Sequence, residues 1–172
     1  MKYKVMIVED QTMPRELFEL RVQASERFEL ALSIDNAALA DVYCLRFPVD
    51  LILMDVITRD GENGLDAAAR IKRAFPQIKI IIVTSMPECS YLKRAKEIGV
   101  ESFWYKEEQR ESLLDVMERT MNGESVYPGA SPELTLGMAS SYQFTERELD
   151  ILREITSGDT NQEIADRLNM SV

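Results

Sequence analysis

Histidine is absent from this chain of 172 residues, and cysteine occurs only at Cys44 and Cys89, outside any Cys/His cluster. The lack of histidine excludes a His-ligated zinc site and Ser-His or Cys-His catalysis. No apolar run approaches the ~20 residues that span a membrane, and the amino terminus enters a strand pattern without a signal peptide. These absences predict a cytoplasmic protein with reduced thiols and no membrane association.

Basic residues are scarce at the carboxyl-terminal end. The formal net charge of the chain is −10, and residues 123–172 hold three basic and nine acidic side chains. A DNA-binding surface needs clustered lysine and arginine to neutralise phosphates. As it stands, this segment therefore has the wrong sign of charge for binding nucleic acid.

Short apolar runs alternate with helical patterns over the first 122 residues. Continuous runs such as Leu51–Met54 and Ile80–Val83 are typical of strands that are buried on both faces. Five strand–helix pairs in alternation predict an α/β, flavodoxin-like doubly wound parallel sheet with strand order 2-1-3-4-5. The predicted strands are residues 4–8, 28–34, 50–55, 80–83 and 103–105.

The pattern of the first helix illustrates how helices are predicted between these strands. Thr12 is expected to be its N-cap, and Leu17, Leu20 and Ala24 recur on one face. A helix of this kind follows each strand, and the fifth ends at Asn122-Gly123.

Composition divides the chain into three parts. Residues 1–122 form the α/β domain, and the Pro- and Gly-containing stretch 123–143 is predicted to be a linker. Residues 144–172 carry two capping-box patterns, which predict a short all-α segment with helices at 145–156 and 160–169.

Polar side chains follow four of the five predicted strands. Glu9 and Asp10 follow the first and Asp55 ends the third, while Thr84 follows the fourth and Lys106 the fifth. Because the carboxyl ends of parallel strands meet at one edge of a sheet, these side chains are expected to converge. Taken singly, each is more often an ordinary strand-end residue, and the combination is what indicates a functional site.

Three carboxylates in one place repel one another unless a cation neutralises them, and oxygen ligands with room for water suit Mg²⁺. A neutralised Asp55 is then a candidate nucleophile toward a phosphoryl group. The Lys106 ammonium would offset the charge on the phosphoryl oxygens, and the Thr84 hydroxyl would donate to them. Ser85 is small enough to leave the approach open.

With these residues in place, the chain resembles the two-component response regulators, with a receiver domain over 1–122 and a LuxR-type (NarL/FixJ) helix-turn-helix tail. The resemblance rests on motifs in both parts of the chain, namely Glu9-Asp10, Leu51-Ile-Leu-Met-Asp55, Val83-Thr84-Ser85, Gly99-Val-Glu-Ser-Phe103-Trp-Tyr-Lys106, Phe144-Thr-Glu-Arg-Glu-Leu-Asp-Ile-Leu152 and Gly158-Asp-Thr-Asn161-Gln-Glu-Ile164-Ala165-Asp-Arg-Leu168.

The resemblance implies a role for each residue of the acidic cluster. Asp55 would be the phosphoacceptor for the phosphohistidine of a sensor histidine kinase. Asp10 would bind Mg²⁺ directly and Glu9 through water, with Asp55 and the backbone carbonyl of Ile57 completing the protein's share of ligands.

The resemblance also implies how the protein responds to phosphorylation. Lys106, Thr84 and Ser85 would contact the phosphate, and Thr84 would move toward it while the ring of Phe103 fills the vacated space. The face formed by helix four, strand five and helix five would then change its partners, and a homodimer would form through this face. The protein would catalyse nothing beyond its own phosphorylation and dephosphorylation.

Two departures from the family pattern stand out. The loop after Asp55 lacks the usual Met-Pro and is one residue longer than the family pattern, so that Gly64 follows Asp55 by nine residues. In the family, the recognition helix begins at about the position of Ser171, so DNA reading is expected only from a longer form. Residues 145–172 are accordingly expected to be poorly ordered, or to pack on the receiver domain or on a neighbouring chain.

Two other functions fit the same residues. A metal-dependent phosphohydrolase also uses acyl-phosphate chemistry on an α/β sheet, but Ile57 stands where such an enzyme needs a second acidic residue. A protein-interaction module that works independently of phosphorylation is the remaining alternative, and it would bind its partner equally well in both states.

Overall fold

The computed structural model describes residues 2–86, 88–106 and 112–129, together with 135–136, 139–140, 162 and 165. The chain divides into two compact units, Met1–Ser131 and Pro132–Val172. In the second unit, the described residues include a short antiparallel pair of strands, β6 (Thr135–Leu136) and β7 (Ala139–Ser140). Among the described residues, no helix has both the length and the apolar character needed to cross a bilayer.

The first unit contains a five-stranded, all-parallel sheet with strand order β2-β1-β3-β4-β5. This confirms the predicted flavodoxin-like fold. The strands are β1 (Tyr3–Val8), β2 (Phe28–Ile34), β3 (Leu51–Met54), β4 (Lys79–Thr84) and β5 (Ser102–Tyr105). The helices are α1 (Thr12–Gln23), α2 (Ala40–Arg46), α3 (Gly64–Ala74), α4 (Cys89–Ile98) and α5 (Leu113–Met121), with 3₁₀ turns at Ala37–Leu39 and Arg59–Gly61.

Two apolar clusters lie on opposite sides of this sheet. Alternate residues of β3 belong to different clusters, Ile52 and Met54 to one, Leu51 and Leu53 to the other. All four side chains are almost completely buried. A continuous apolar run is therefore what the position of β3 requires, because both of its faces are covered.

The start and the buried face of α1 differ from the prediction. Gln11 occupies the N-cap position without a side-chain hydrogen bond, and Thr12 is the first helical residue. The helix buries Phe18 and Val22, whereas Leu17 and Leu20 are 46% and 64% exposed. Apolar residues occupy more than one face of this helix, so their spacing alone does not identify the side that packs on the sheet.

The predicted helices 145–156 and 160–169, and the expectation about their order or packing, lie outside the described residues, apart from Gln162 and Ala165. Pro87, expected to begin the fourth helix, also lies outside them; the described part of α4 starts at Cys89. Within the predicted linker 123–143, Val126 and Tyr127 belong to the first unit and pack against its apolar clusters.

Candidate functional site

The carboxyl ends of β1 and β3 bring three acidic residues together. Val8 pairs with Met54 in the parallel register, and the Asp55 amide donates to the Val8 carbonyl at 2.9 Å. Glu9 therefore lies beside Asp55. Connections from β1 and β3 run to opposite sides of the sheet, and this reversal of strand order is where α/β sheets open a crevice for ligands.

Glu9, Asp10 and Asp55 each offer a carboxylate oxygen, and these three oxygens lie within 4.8 Å of one another. Glu9 and Asp55 are 1% and 5% exposed, whereas Asp10 is half-buried. Carboxylates at this spacing match the oxygen ligands that a hard divalent cation prefers. Among the described residues, this is the cluster of acidic side chains that could hold a metal ion.

Lys106, just beyond β5, places its ammonium against this cluster. Its Nζ atom is 2.6 Å from Glu9 Oε2 and 2.9 Å from Asp55 Oδ2, and its side chain is only 10% exposed. One ammonium against three carboxylates leaves the site with an excess of negative charge. The chemistry of the donor set therefore fits a bound Mg²⁺.

Burial dominates the ionisation of the two inner carboxyls. It raises the pKa of Asp55, against the attraction of Lys106 and a 2.7 Å hydrogen bond from the Val56 amide. Burial likewise raises the pKa of Glu9, and the nearby Asp55 charge acts in the same direction. Although burial by itself lowers it, the pKa of Lys106 is raised overall, because both carboxylates favour the ammonium.

Thr84 and Ser85 lie at the same edge of the sheet, at the end of β4. Thr84 is fully buried, and its hydroxyl accepts a 3.1 Å hydrogen bond from the Met86 amide. Its carbonyl accepts from the Lys106 amide at 3.0 Å, which ties the ends of β4 and β5 together. Ser85 is exposed and, with Lys106, lines a cleft of about 650 Å³ beside α1.

The other two predicted site residues occupy different surroundings. Phe103 lies on β5 opposite Ile82 of β4, is 1% exposed, and packs its ring 5.0 Å from that of Tyr105. Ile57 lies two residues past Asp55 with 42% of its surface exposed, and its backbone bridges to Asn63.

The loop after Asp55 contains the 3₁₀ turn Arg59–Gly61. Asp60 and Gly61 both adopt positive φ angles, 63° and 74°. At the far end of the loop, the Gly64 amide donates to the Val56 carbonyl at 2.7 Å. A Cβ atom on Gly64 would stand 1.8 Å from the carbonyl oxygen of Asp55. Glycine is thus required at this position, where the chain passes next to the backbone of Asp55.

Thr58 is a buried member of this loop that the sequence analysis did not single out. Its hydroxyl accepts from the Ala37 amide at 3.0 Å and donates to the Glu62 carbonyl at 3.0 Å. The loop is further joined to the end of β2 by the Arg59 amide, which donates to the Asp35 carbonyl. Thr58 thereby fixes the backbone that follows Ile57. No local sequence signal identifies it, because the Ala37 amide that it binds lies 21 residues earlier.

Two known protein families match this chain, one in each of its parts. A family model described as "Response regulator receiver domain" matches residues 5–118. A second, described as "Bacterial regulatory proteins, luxR family", matches residues 142–172.

Individual relatives agree with these matches. The response regulator protein VraR of Staphylococcus epidermidis is 32% identical over 180 residues, covering 100% of this chain and 84% of the relative, and VraR of Staphylococcus aureus gives the same values. Two LuxR-family regulators of known structure are similar in fold. One, from Aurantimonas, has a TM-score of 0.68 at 20% identity and covers 77% of this chain and 91% of its own. The other, from S. aureus, has a TM-score of 0.61 at 27% identity and covers 70% and 96%.

Proposed function

The chain belongs to the response regulators of two-component systems, with a receiver domain and a LuxR-type DNA-binding output, and we propose that Asp55 is the residue through which it is switched. Membership of this family implies a histidine kinase as partner and DNA as the target of the output domain. The single observation that carries the assignment is the position of Asp55. It lies at the end of the central strand, beside two further carboxylates and in contact with Lys106.

In this proposal, a carboxylate oxygen of Asp55 attacks the phosphorus atom of the kinase's phosphohistidine. The P–N bond breaks, its electron pair stays on the imidazole nitrogen, and Asp55 becomes an acyl phosphate. Asp55 must be ionised to attack. The Lys106 ammonium at 2.9 Å favours that state and can follow the charge onto the phosphoryl oxygens.

Asp10, Glu9, Asp55 and the Ile57 carbonyl would hold Mg²⁺, with Glu9 acting through water. When bound, Mg²⁺ supplies positive charge that offsets the repulsion between the carboxylates and the incoming phosphoryl group. The rest of the environment comes from the chain. Burial of Glu9 and Asp55 excludes water from one side of the site, while the cleft beside Ser85 leaves the other side open.

Thr84 and Phe103 would form the switch. The Thr84 hydroxyl is held by the Met86 amide and would move to the phosphoryl oxygens, and the ring of Phe103 would follow into the space it leaves. The surface around α4, β5 and α5 would then change and bind a second copy of the chain. We further propose that the protein acts in the cytoplasm and catalyses only its own phosphorylation and dephosphorylation.

Acetyl phosphate with Mg²⁺ tests the site. Intact-mass measurement should show one added phosphoryl group on the wild type and none on Asp55→Asn. Asp60→Asn is the matched control, because Asp60 is an exposed carboxylate of the same loop and asparagine tolerates its φ angle of 63°. Equal phosphorylation of Asp55→Asn and the wild type would refute the assignment. Multiple turnover on a small phosphate ester would instead favour a phosphohydrolase.

A further inference from the structure

The chain turns back after α5 and runs along the outer edge of β5. This strand ends the sheet order, so among the described residues its outward-facing backbone groups have no neighbouring strand. The Phe103 amide donates instead to the Val126 carbonyl at 2.8 Å. The Val126 amide in turn donates to the Ser102 hydroxyl oxygen at 3.1 Å. One residue of the segment that leads to the output domain therefore closes the edge of the strand that carries Phe103.

Tyr127, the next residue, covers the ring of Phe103. The two ring centroids are 6.3 Å apart, and the Tyr127 hydroxyl donates to the Val100 carbonyl at 2.7 Å. The Lys96 ammonium lies 5.0 Å from the centre of the Tyr127 ring, on the helix before β5. The pKa of Tyr127 is raised by burial first and by the nearby Glu101 second, as expected for a docked phenol. These contacts leave Phe103 only 1% exposed, although it lies on an edge strand.

We propose that Val126 and Tyr127 form a latch that reports the position of Phe103 to the connection with the output domain. The latch is closed when Asp55 carries no phosphoryl group, and it opens when the Phe103 ring moves toward Thr84. This inference rests on the proposed function, because it takes phosphorylation of Asp55 as the signal. It adds the element that reads the signal and the direction in which that element responds.

The latch depends on contacts that differ between the two conformations. A ligand shifts a conformational equilibrium only when some interaction differs between the two states. The contact between the Phe103 and Tyr127 rings exists while the Phe103 ring is directed at residue 127. Moving that ring toward Thr84 removes the contact, and the neighbouring hydrogen bond from the Phe103 amide to the Val126 carbonyl loses the packing that shields it from water. The hydrogen bonds to Ser102 and Val100 then hold Val126 and Tyr127 with fewer supporting contacts, which favours release of this part of the connecting segment.

The coupling between the latch and Asp55 must act equally in both directions. If the closed latch stabilises the unphosphorylated state, removing it must favour the phosphorylated state by the same factor. Replacing Tyr127 should therefore tighten the binding of a phosphoryl analogue at Asp55, although Tyr127 is not at that site. Couplings of this kind are typically fivefold or larger. A residue with only a structural role would instead weaken binding or leave it unchanged.

The first experiment follows hydrogen exchange of the Phe103 amide in the full chain, with and without beryllofluoride and Mg²⁺. We expect protection in the free protein and at least about tenfold faster exchange in the complex. Binding itself is followed by the fluorescence of Trp104, the only tryptophan, which lines the same cleft as Lys106. Binding without any change in Phe103 exchange would overturn the latch and leave the proposed function intact. Absence of binding to the wild type would overturn both.

The second experiment measures beryllofluoride affinity in variants. Tyr127→Ala should bind at least about fivefold more tightly than the wild type. Tyr127→Phe keeps the ring but loses the hydrogen bond to Val100, so it should shift affinity in the same direction by less, and it serves if the alanine variant fails to fold. Tyr43→Ala is the matched control, since Tyr43 is a half-buried tyrosine that packs on Phe47, away from β5. Unchanged or weaker affinity in both Tyr127 variants would overturn the proposal.

Discussion

Replacing Lys106 by methionine should destabilise the metal-free protein because two buried carboxylates lose their shared ammonium. The contacts measure 2.6 Å to Glu9 and 2.9 Å to Asp55, and all three side chains are at most 10% exposed. At an effective dielectric constant of ~20, each contact is worth about 6 kcal/mol of Coulomb attraction. Desolvating the ammonium offsets several kcal/mol of this total.

The net cost is set by what remains after Lys106 is removed. A protein in which a buried ion pair loses one partner is typically destabilised by about 3–5 kcal/mol. Here the loss is limited, because Glu9 and Asp55 already have raised pKa values and one of them can take up a proton. We therefore expect Lys106→Met to lower the free energy of unfolding by about 3 kcal/mol at neutral pH. The loss should shrink as the pH falls and both carboxyls become protonated.

Urea unfolding with and without Mg²⁺ measures this effect. Saturating Mg²⁺ should restore most of the stability of Lys106→Met, because the cation replaces the missing positive charge and binds only the folded state. Lys72→Met is the matched control. Lys72 forms a largely buried ion pair with Glu101 at 2.6 Å, outside the acidic cluster, so its loss should persist in Mg²⁺. A loss for Lys106→Met that is independent of both pH and Mg²⁺ would contradict the electrostatic account of the site.

Three further predictions concern the surroundings of Asp55. Because the pKa values of Glu9 and Asp55 are raised, the folded state binds more protons than the unfolded state. The stability of the metal-free protein should therefore fall as the pH rises from the ordinary pKa values, near 4, through the raised ones. Asp55→Asn should flatten this decline in urea unfolding, and stability that rises with pH would contradict the shifts. Gly64→Ala should lower the free energy of unfolding by about 3 kcal/mol, because its Cβ atom would overlap the Asp55 carbonyl. Gly129→Ala is the control and should leave stability unchanged in the same assay, because its Cβ atom would meet no atom within 4 Å. Thr58→Val should lower the free energy of unfolding by about 1–3 kcal/mol, because the Ala37 amide and the Glu62 carbonyl each lose a hydrogen-bond partner. Titration should show that its Mg²⁺ affinity is several-fold weaker, and Thr58→Ser should restore both properties. Equal Mg²⁺ affinity in the wild type and both variants would confine Thr58 to a structural role.

The sheet and the strand-end site were predictable for the same reason. A strand covered on both faces must be apolar throughout, so Leu51–Met54 could be recognised from its sequence alone. Once the strand order was fixed, the polar residues that follow β1, β3 and β5 had to meet at one edge. The contact of Lys106 with Asp55 across 51 residues follows from topology, without any local signal at either residue.

Other features depended on information that the sequence pattern does not hold. The buried face of α1 is defined by Phe18 and Val22, whereas the regular spacing of Leu17 and Leu20 pointed to a face that is largely exposed. Tyr127 belongs to a stretch whose composition is typical of a linker, yet it docks on Phe103. In both cases the choice is made by long-range packing, which overrides local periodicity.

The open edge of β5 connects the proposed latch with the proposed dimer. Val126 occupies a backbone donor of this edge, and Tyr127 packs against the ring of Phe103 and lies near Lys96 of α4. A second copy of the chain that docks on the α4–β5–α5 surface must therefore compete with these two residues. Competition of this kind would make release of the connecting segment and dimerisation reinforce each other, because each removes an obstacle to the other. A single movement at Phe103 would then serve both, which requires no separate signal from Asp55 to the dimer surface.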